Sequence, residues 1–152
     1  MKAKALILAL LASVSFGASG QSREPALPEV LVYKQASCGC CKQWVKHLQK
    51  SGFSVRVHDI RDLQAIKKRV GVPVRLESCH TAEVGGYFVE GHVPAQDIER
   101  LLRQRSAAKG LAVPRMPAGS PGMEVPSGKV EPYDVLLVGR DGRSSVFSRH
   151  GH

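Results

Sequence analysis

Four cysteines carry the sulfur chemistry of this chain: Cys38, Cys40, Cys41 and Cys79. Three of them fall within four residues, as Cys38-Gly39-Cys40-Cys41. Four cysteines can form two disulfides in three ways. Bonds inside so short a stretch would close only tiny loops and constrain the unfolded chain little, so structural staples fit the pattern poorly. Cys38 and Cys41 have the Cys-x-x-Cys spacing of a redox pair, with Cys38 as nucleophile and Cys41 as resolving thiol. That scheme has no use for Cys40. Three thiolates converging on one point repel each other and call for a cation between them. A soft d¹⁰ ion such as Cu(I) prefers sulfur, and thiolates can bridge several such ions into a multinuclear cluster.

The elements around the motif determine what else reaches it. Val30-Leu31-Val32-Tyr33 is an apolar, β-prone run that suits a buried strand, and the cysteines follow at once. Cys41, Trp44, Val45 and Leu48 then recur at helical spacing, and Gly52 ends that helix. Cys38 therefore sits at the mouth of a helix, where free N–H groups favour a thiolate. Lys34 and Lys42 add positive potential there. A second strand is expected within 54–60, with Val55 and Val57 alternating against Arg56 and His58. Asp62 can cap a second helix carrying Leu63, Ile66 and Val70 on one face, closed by Gly71 and Pro73.

Residues 81–84 and 87–91 flank Gly85-Gly86 as a hairpin, and Pro94 opens a third helix with Ile98, Leu101 and Leu102 inward. If Gly85-Gly86 is a two-residue turn, Val84 pairs with Tyr87, and each outward step keeps the numbers summing to 171. Cys79 then falls opposite His92 on one face, and His80 points to the other. Cys79 and His92 are thus expected at the motif, with His80 a weaker candidate. His47, His58 and His152 read as filler or surface, as does His150, although it is kept as a further candidate ligand.

Strand, helix, strand, helix, hairpin, helix, with cysteines between the first strand and first helix, is the layout of a thioredoxin-like α/β domain with a mixed sheet and flanking helices. It is one of several α/β options that the order permits. This domain is expected to span residues 29–109. Residues 110–132 hold five prolines and four glycines, so an irregular segment is expected, ending in a hairpin about Asp141-Gly142. Apart from the initiator, both methionines, Met116 and Met123, lie in that segment. Methionine usually fills core gaps; here two thioethers could close over a Cu(I) site.

At the start of the chain, Lys2 and Lys4 precede an apolar stretch from Ala5 to Phe16 and the small residues Ala18 and Gly20. This is the pattern of a secretory signal peptide, residues 1–20, with a flexible lead-in over 21–28. The apolar stretch falls short of the roughly 20 residues that span a bilayer, so no membrane insertion is expected. Removing it takes away Lys2 and Lys4 and no acid, lowering the net charge of +9 by two. The basic residues are spread along the chain, and Lys67-Lys68-Arg69, the longest run, reads as a solvated helix face. With few aromatics and export, nucleic acid is not an expected partner.

Tyr33-Lys34, Ser37-Cys38-Gly39-Cys40-Cys41, Trp44-Val45, Ser78-Cys79-His80-Thr81-Ala82, Glu90-Gly91-His92-Val93-Pro94 and the stretch from Met116-Pro117 to Gly122-Met123-Glu124 occur in order. Together they resemble the CopG family of Gram-negative periplasmic copper-resistance proteins, which is distinct from the DNA-binding repressor sharing that name. The resemblance implies a thioredoxin-like fold with a C-terminal extension, 110–152, that packs on the domain and helps bind metal. It implies copper bridged by Cys38, Cys40 and Cys41, with Cys79, His92, Met116 and Met123 as further ligands. It also implies interconversion of Cu(I) and Cu(II) in the periplasm for detoxification and efflux. Copper efflux components or a redox partner are the expected partners, and a monomer is the expected state. Other readings stay open: a non-catalytic copper store or carrier, a metal-free thiol–disulfide oxidoreductase, structural zinc, or an iron–sulfur cluster.

Overall fold

The run after Glu29 forms the first strand, β1 (Val30–Lys34), which buries Val30, Val32 and Lys34. A computed structural model describes residues 26–152. The expected signal peptide and the first part of the lead-in lie outside the described residues. Helix α1 (Gly39–Lys50) starts at Cys38, whose Sγ accepts the Cys41 N–H, and buries Cys41, Trp44, Val45 and Leu48 as the spacing predicts. Strand β2 (Val55–Asp59) returns parallel to β1. It is an edge strand, which leaves Val57 39% exposed where alternation alone would bury it.

Helix α2 (Leu63–Val70) is capped by the Asp62 carboxylate and closed by Gly71 at positive φ. A 3₁₀ turn (Val74–Leu76) leads to the hairpin of β3 (Thr81–Val84) and β4 (Tyr87–Glu90). Helix α3 (Ala95–Gln104) and strands β5 (Ala108–Ala112), β6 (Tyr133–Gly139) and β7 (Ser144–His150) complete the chain. The sheet runs β2-β1-β3-β4-β5-β6-β7. Its first four strands with α1 between β1 and β2 are the thioredoxin-like arrangement, and the C-terminal hairpin continues the same sheet.

Alternation along the strands supplies two cores. Val30, Val32, Val89 and Leu111 pack with Trp44, Leu48, Ile98 and Leu101 of α1 and α3. Phe88, Ala112 and Val138 face the other way, with Val72 and Leu76. Two expectations change. Residues 110–112, read as the start of an irregular segment, belong to β5. A Cβ at Gly110 would come within 2.0 Å of the Phe88 carbonyl oxygen, so this glycine permits the close parallel pairing instead of breaking the strand. Lys67, read as part of a solvated face, is only 2% exposed, while Leu63, Ile66 and Val70 are half-buried. Its ammonium is ion-paired with buried Glu90, which is what allows a lysine to sit there.

Helix α3 begins after Pro94 with no cap from its own side chains. The Ala95 N–H instead donates to His47 Nε2 of α1 at 3.0 Å. Burial holds the His47 pKa below its ordinary value. The unfolded chain therefore binds the proton more tightly, and this contribution to stability is lost as pH falls below the ordinary histidine range. His47→Ala should cost about 1 kcal/mol at pH 7.5, the usual worth of a helix cap. Denaturant unfolding at pH 7.5 and 5 should show that the variant's deficit shrinks at the lower pH.

Candidate metal centre

The motif lies where β1 hands the chain to α1, so the start of α1 projects its sulfurs toward the end of the β3–β4 hairpin. Val84 pairs with Tyr87 and Thr81 with Glu90, the register expected from a two-residue turn. Gly85 and Gly86, at φ +54° and +86°, supply the left-handed backbone this turn needs. Just beyond the last pair, Cys79 Sγ lies 3.1 Å from His92 Nε2. The same sulfur is 3.6 Å from Cys41 Sγ and 4.0 Å from Cys40 Sγ, and Cys40 Sγ is 3.5 Å from Cys38 Sγ. The four sulfurs form one group able to hold a metal ion, and Cys79, His80 and His92 form a second that shares Cys79.

Cys38 and Cys41 are joined in a disulfide, while Cys40 and Cys79 are not. Clustered sulfurs were expected to be held by a cation rather than bonded to each other. A three-residue separation at a helix start brings the two Cα atoms to 5.4 Å, well within disulfide reach, so the pair can do either.

His80 departs from its expected direction. β3 begins only at Thr81, so strand alternation does not govern residue 80. Its ring turns inward onto Trp44, 4.4 Å between centroids, with Nδ1 3.2 Å from Cys79 Sγ. His80 is fully buried, and its Nε2 has no hydrogen-bond partner. Burial lowers the pKa values of both His80 and His92, so both rings are neutral near pH 7. Burial, and next the neighbouring Cys40, push the Cys79 thiol up to about 12.

The extension closes over this cluster. His92 Nδ1 lies 2.8 Å from the Pro121 carbonyl oxygen. A carbonyl can only accept, so the proton sits on Nδ1 and the Nε2 lone pair faces Cys79. This is how an outer partner sets a ligating histidine. Gly122 lies against the first turn of α1, where an added Cβ would come within 2.7 Å of Trp44 N and 2.8 Å of the Cys40 carbonyl oxygen. Half-buried Met123 follows it, and Met116, 48% exposed, follows Arg115, whose carbonyl accepts from Ser78 Oγ beside Cys79. Each methionine is thus a chain neighbour of a residue that touches the motif or the Cys79 loop.

His150 is placed elsewhere. It pairs with Tyr133 across β6–β7, stacks on that ring, and its Nε2 lies 2.8 Å from Asp97 Oδ2. Lys42 is exposed, and Lys34 is paired with Asp59 at 2.5 Å. The Pro121 carbonyl and Gly122 escaped the sequence reading. The Gly-Ser-Pro-Gly run was the available signal, but it does not tell which surface the turn covers.

The donors are soft sulfurs and neutral imidazole nitrogens, with few protons for many lone pairs. Cys79 has one proton and faces His80, His92 and Cys40, so a cation of soft character fits where hydrogen bonding cannot satisfy all of them. The fold and the sulfur cluster define a thioredoxin-like thiol protein with a potential metal centre at the start of α1.

Comparison with solved structures then specifies the family. Copper resistance protein CopG in one form is 46% identical, with a TM-score of 0.78, covering 83% of this chain and 99% of that one. A second form is 47% identical, also with a TM-score of 0.78, covering 82% and 98%. The chain belongs to the CopG family. A family model described as a protein of unknown function, DUF411, matches residues 76–123. Among curated proteins nothing matches.

Gly122→Ala would place a Cβ against main-chain atoms at φ +85°. It should cost about 3 kcal/mol from combined strain and overpacking. Gly128→Ala, at φ +68° with open space around it, should cost about 1 kcal/mol from backbone strain alone. Unfolding midpoints compare the two, and equal losses would show that the contact with α1 carries no weight.

Proposed function

We propose that the chain is an exported, periplasmic copper-binding protein of copper resistance, with copper as its substrate. On this reading it interconverts Cu(I) and Cu(II) at the thiol cluster. The observation that carries it is the convergence of Cys40 and Cys79 on the Cys38/Cys41 pair, with the His92 Nε2 lone pair facing Cys79 from the other side. The CopG relatives support copper as the ion. Cys38, Cys40, Cys41 and Cys79 would hold Cu(I) as bridging thiolates in a multinuclear cluster, with His92 and His80 as nitrogen donors and Met116 and Met123 closing the site. Thiolates favour Cu(I) over Cu(II). Residues 29–109 supply the cysteines, and the extension 110–152 covers them.

The Cys38/Cys41 pair gives the reaction its electrons. Oxidation of the reduced pair to the disulfide releases two electrons and two protons, enough to reduce two Cu(II) to two Cu(I). Two external thiols, oxidised to their own disulfide, then return two electrons and two protons and restore the pair. Copper efflux components are the natural recipients of the product, and the chain is expected to work as a monomer.

The disulfide also favours a second reading, a metal-free thiol–disulfide oxidoreductase with Cys38 as nucleophile and Cys41 as resolving thiol. Gly122 lies against the Cys40 carbonyl and the Arg115 carbonyl against Ser78, whereas Cys38 is half-buried between exposed Ser37 and Gly39. Cys40 and Cys79 would have no part in that reading. A copper store would use the same donors without the electron step.

One experiment separates copper binding from the metal-free reading, and reversible redox cycling of the loaded protein without metal loss then separates the oxidoreductase from the store. The protein is reduced, loaded anaerobically with Cu(I), and challenged with a Cu(I) chelator before copper is counted. Wild type should retain at least one copper per chain, and Cys40→Ser should retain less. Protein with the Cys38–Cys41 disulfide intact should also retain less. Fewer than one copper in the reduced wild type sinks the proposal. Insulin reduction by the metal-free form that survives Cys40→Ser would install the second reading.

A further inference from the structure

Beneath the loop that carries Cys79 lies a group of charged and polar side chains that the metal centre does not use. Lys67 on α2 is 2% exposed, and Thr81 and Glu90, facing each other across β3–β4, are fully buried. The Lys67 ammonium is ion-paired with Glu90 Oε1 and donates to Thr81 Oγ1 at 3.0 Å. Thr81 Oγ1 donates to Glu90 Oε2 at 2.7 Å. The Ser78 N–H, one residue before Cys79, donates to Glu90 Oε1 at 2.5 Å.

A buried ion pair is poor value as a pure stabiliser, because desolvating both charges offsets most of their attraction, and a well-packed apolar pair does as well or better. What the carboxylate offers is direction. Its oxygens take the lysine, the threonine and a main-chain N–H at fixed angles. The tie matters at this position because residues 77–80 belong to neither a helix nor a strand: backbone bonds fix the ends of the stretch, Glu77 N–H to the Val74 carbonyl and Gly91 N–H to the His80 carbonyl, and the Ser78 N–H between them is taken by Glu90. Glu90 is also two residues before His92, so one anchor serves both sides of the 3.1 Å Cys79–His92 approach.

We propose that Lys67, Thr81 and Glu90 are positioning residues for Cys79: through the Ser78 N–H they hold its sulfur against Cys41 and His92. Cys38, Cys40 and Cys41 are held by α1 and do not depend on them. Loss of the Glu90 acceptor therefore frees one sulfur of the four and leaves three in place. The consequence for copper, weaker retention through the loss of one donor, rests on the function proposed above. The positioning itself does not.

The test uses metal-free, oxidised protein, in which Cys40 and Cys79 are the free thiols. Iodoacetamide is the probe, and peptide mass spectrometry reads the two sites separately. Lys67→Met/Glu90→Leu removes the charges and the acceptor together. It should raise the Cys79 alkylation rate about tenfold, the opening expected when a hydrogen bond to a charged acceptor is lost, while Cys40 keeps its wild-type rate.

Lys67→Met/Glu90→Gln removes the same charges but keeps an oxygen for the Ser78 N–H, and it should stay within about threefold of wild type. Thr81→Val, which leaves the ion pair intact, gives a milder version that should fold even where the double variants do not. It should raise the Cys79 rate about threefold. An unchanged Cys79 rate in the leucine and valine variants overturns the proposal. So does a Cys40 rate that rises in step, or equal behaviour of the glutamine and leucine variants. Copper counts on the same proteins separate the two claims: wild type that retains no Cu(I) defeats the copper reading and leaves the alkylation result standing.

Discussion

The antiparallel pairing of β3 with β4 is the constraint on which the centre depends. Side chains alternate across a strand with a period of two, so a slip of one residue would turn the whole set over. Gly85 and Gly86 prevent the slip by taking a tight turn that other residues resist. From that turn the pairs run outward to Thr81 and Glu90. Two residues further on each side stand Cys79 and His92, and the partners at the last pair supply the anchor beneath them. One turn thus decides where a sulfur, an imidazole and a carboxylate stand relative to α1.

Electrostatics at the centre follow from burial more than from charge. His80 and His92 are buried and neutral, and Lys34 and Lys67, the nearest buried cations, each have their own carboxylate partner. The start of α1 contributes its unpaired N–H groups, and the Cys41 N–H already points at Cys38 Sγ, 3.3 Å away. The result is a pocket of lone pairs with little fixed positive charge of its own. Such a site discriminates by softness and shape rather than by attraction for any cation.

Much of this was legible in the residues because it depended on short-range periodicity. Counting from Gly85-Gly86 brought Cys79 to His92, and helical spacing from Cys41 to Leu48 named the buried face of α1. The Asp141-Gly142 hairpin emerged from the same kind of signal. What escaped depended on partners distant in sequence. Nothing near Lys67 announces that Glu90 will neutralise it, so it read as one more solvated cation. His80 was assigned a face by extending strand alternation past the end of the strand. Gly110 read as a breaker because the strand that crowds it, β4, is twenty-two residues earlier in the chain. The Cys38–Cys41 bond fits the Cys-x-x-Cys spacing of a redox pair, since loop-closure entropy argues only against a structural staple and says nothing about redox use.

The contact between Pro121 and His92 has a consequence for how the centre is assembled. All four sulfurs and both imidazoles lie before α3, yet the carbonyl that fixes the His92 proton and the glycine that lies over Cys40 come from a stretch beyond β5. That stretch is in turn tied to Glu131, at the approach to the final hairpin, through the Ala118 carbonyl. A chain emerging from its N-terminus would have all four sulfurs and both imidazoles long before their final orientation, so the arrangement of the donors is a property of the finished fold and not of the cysteine motif.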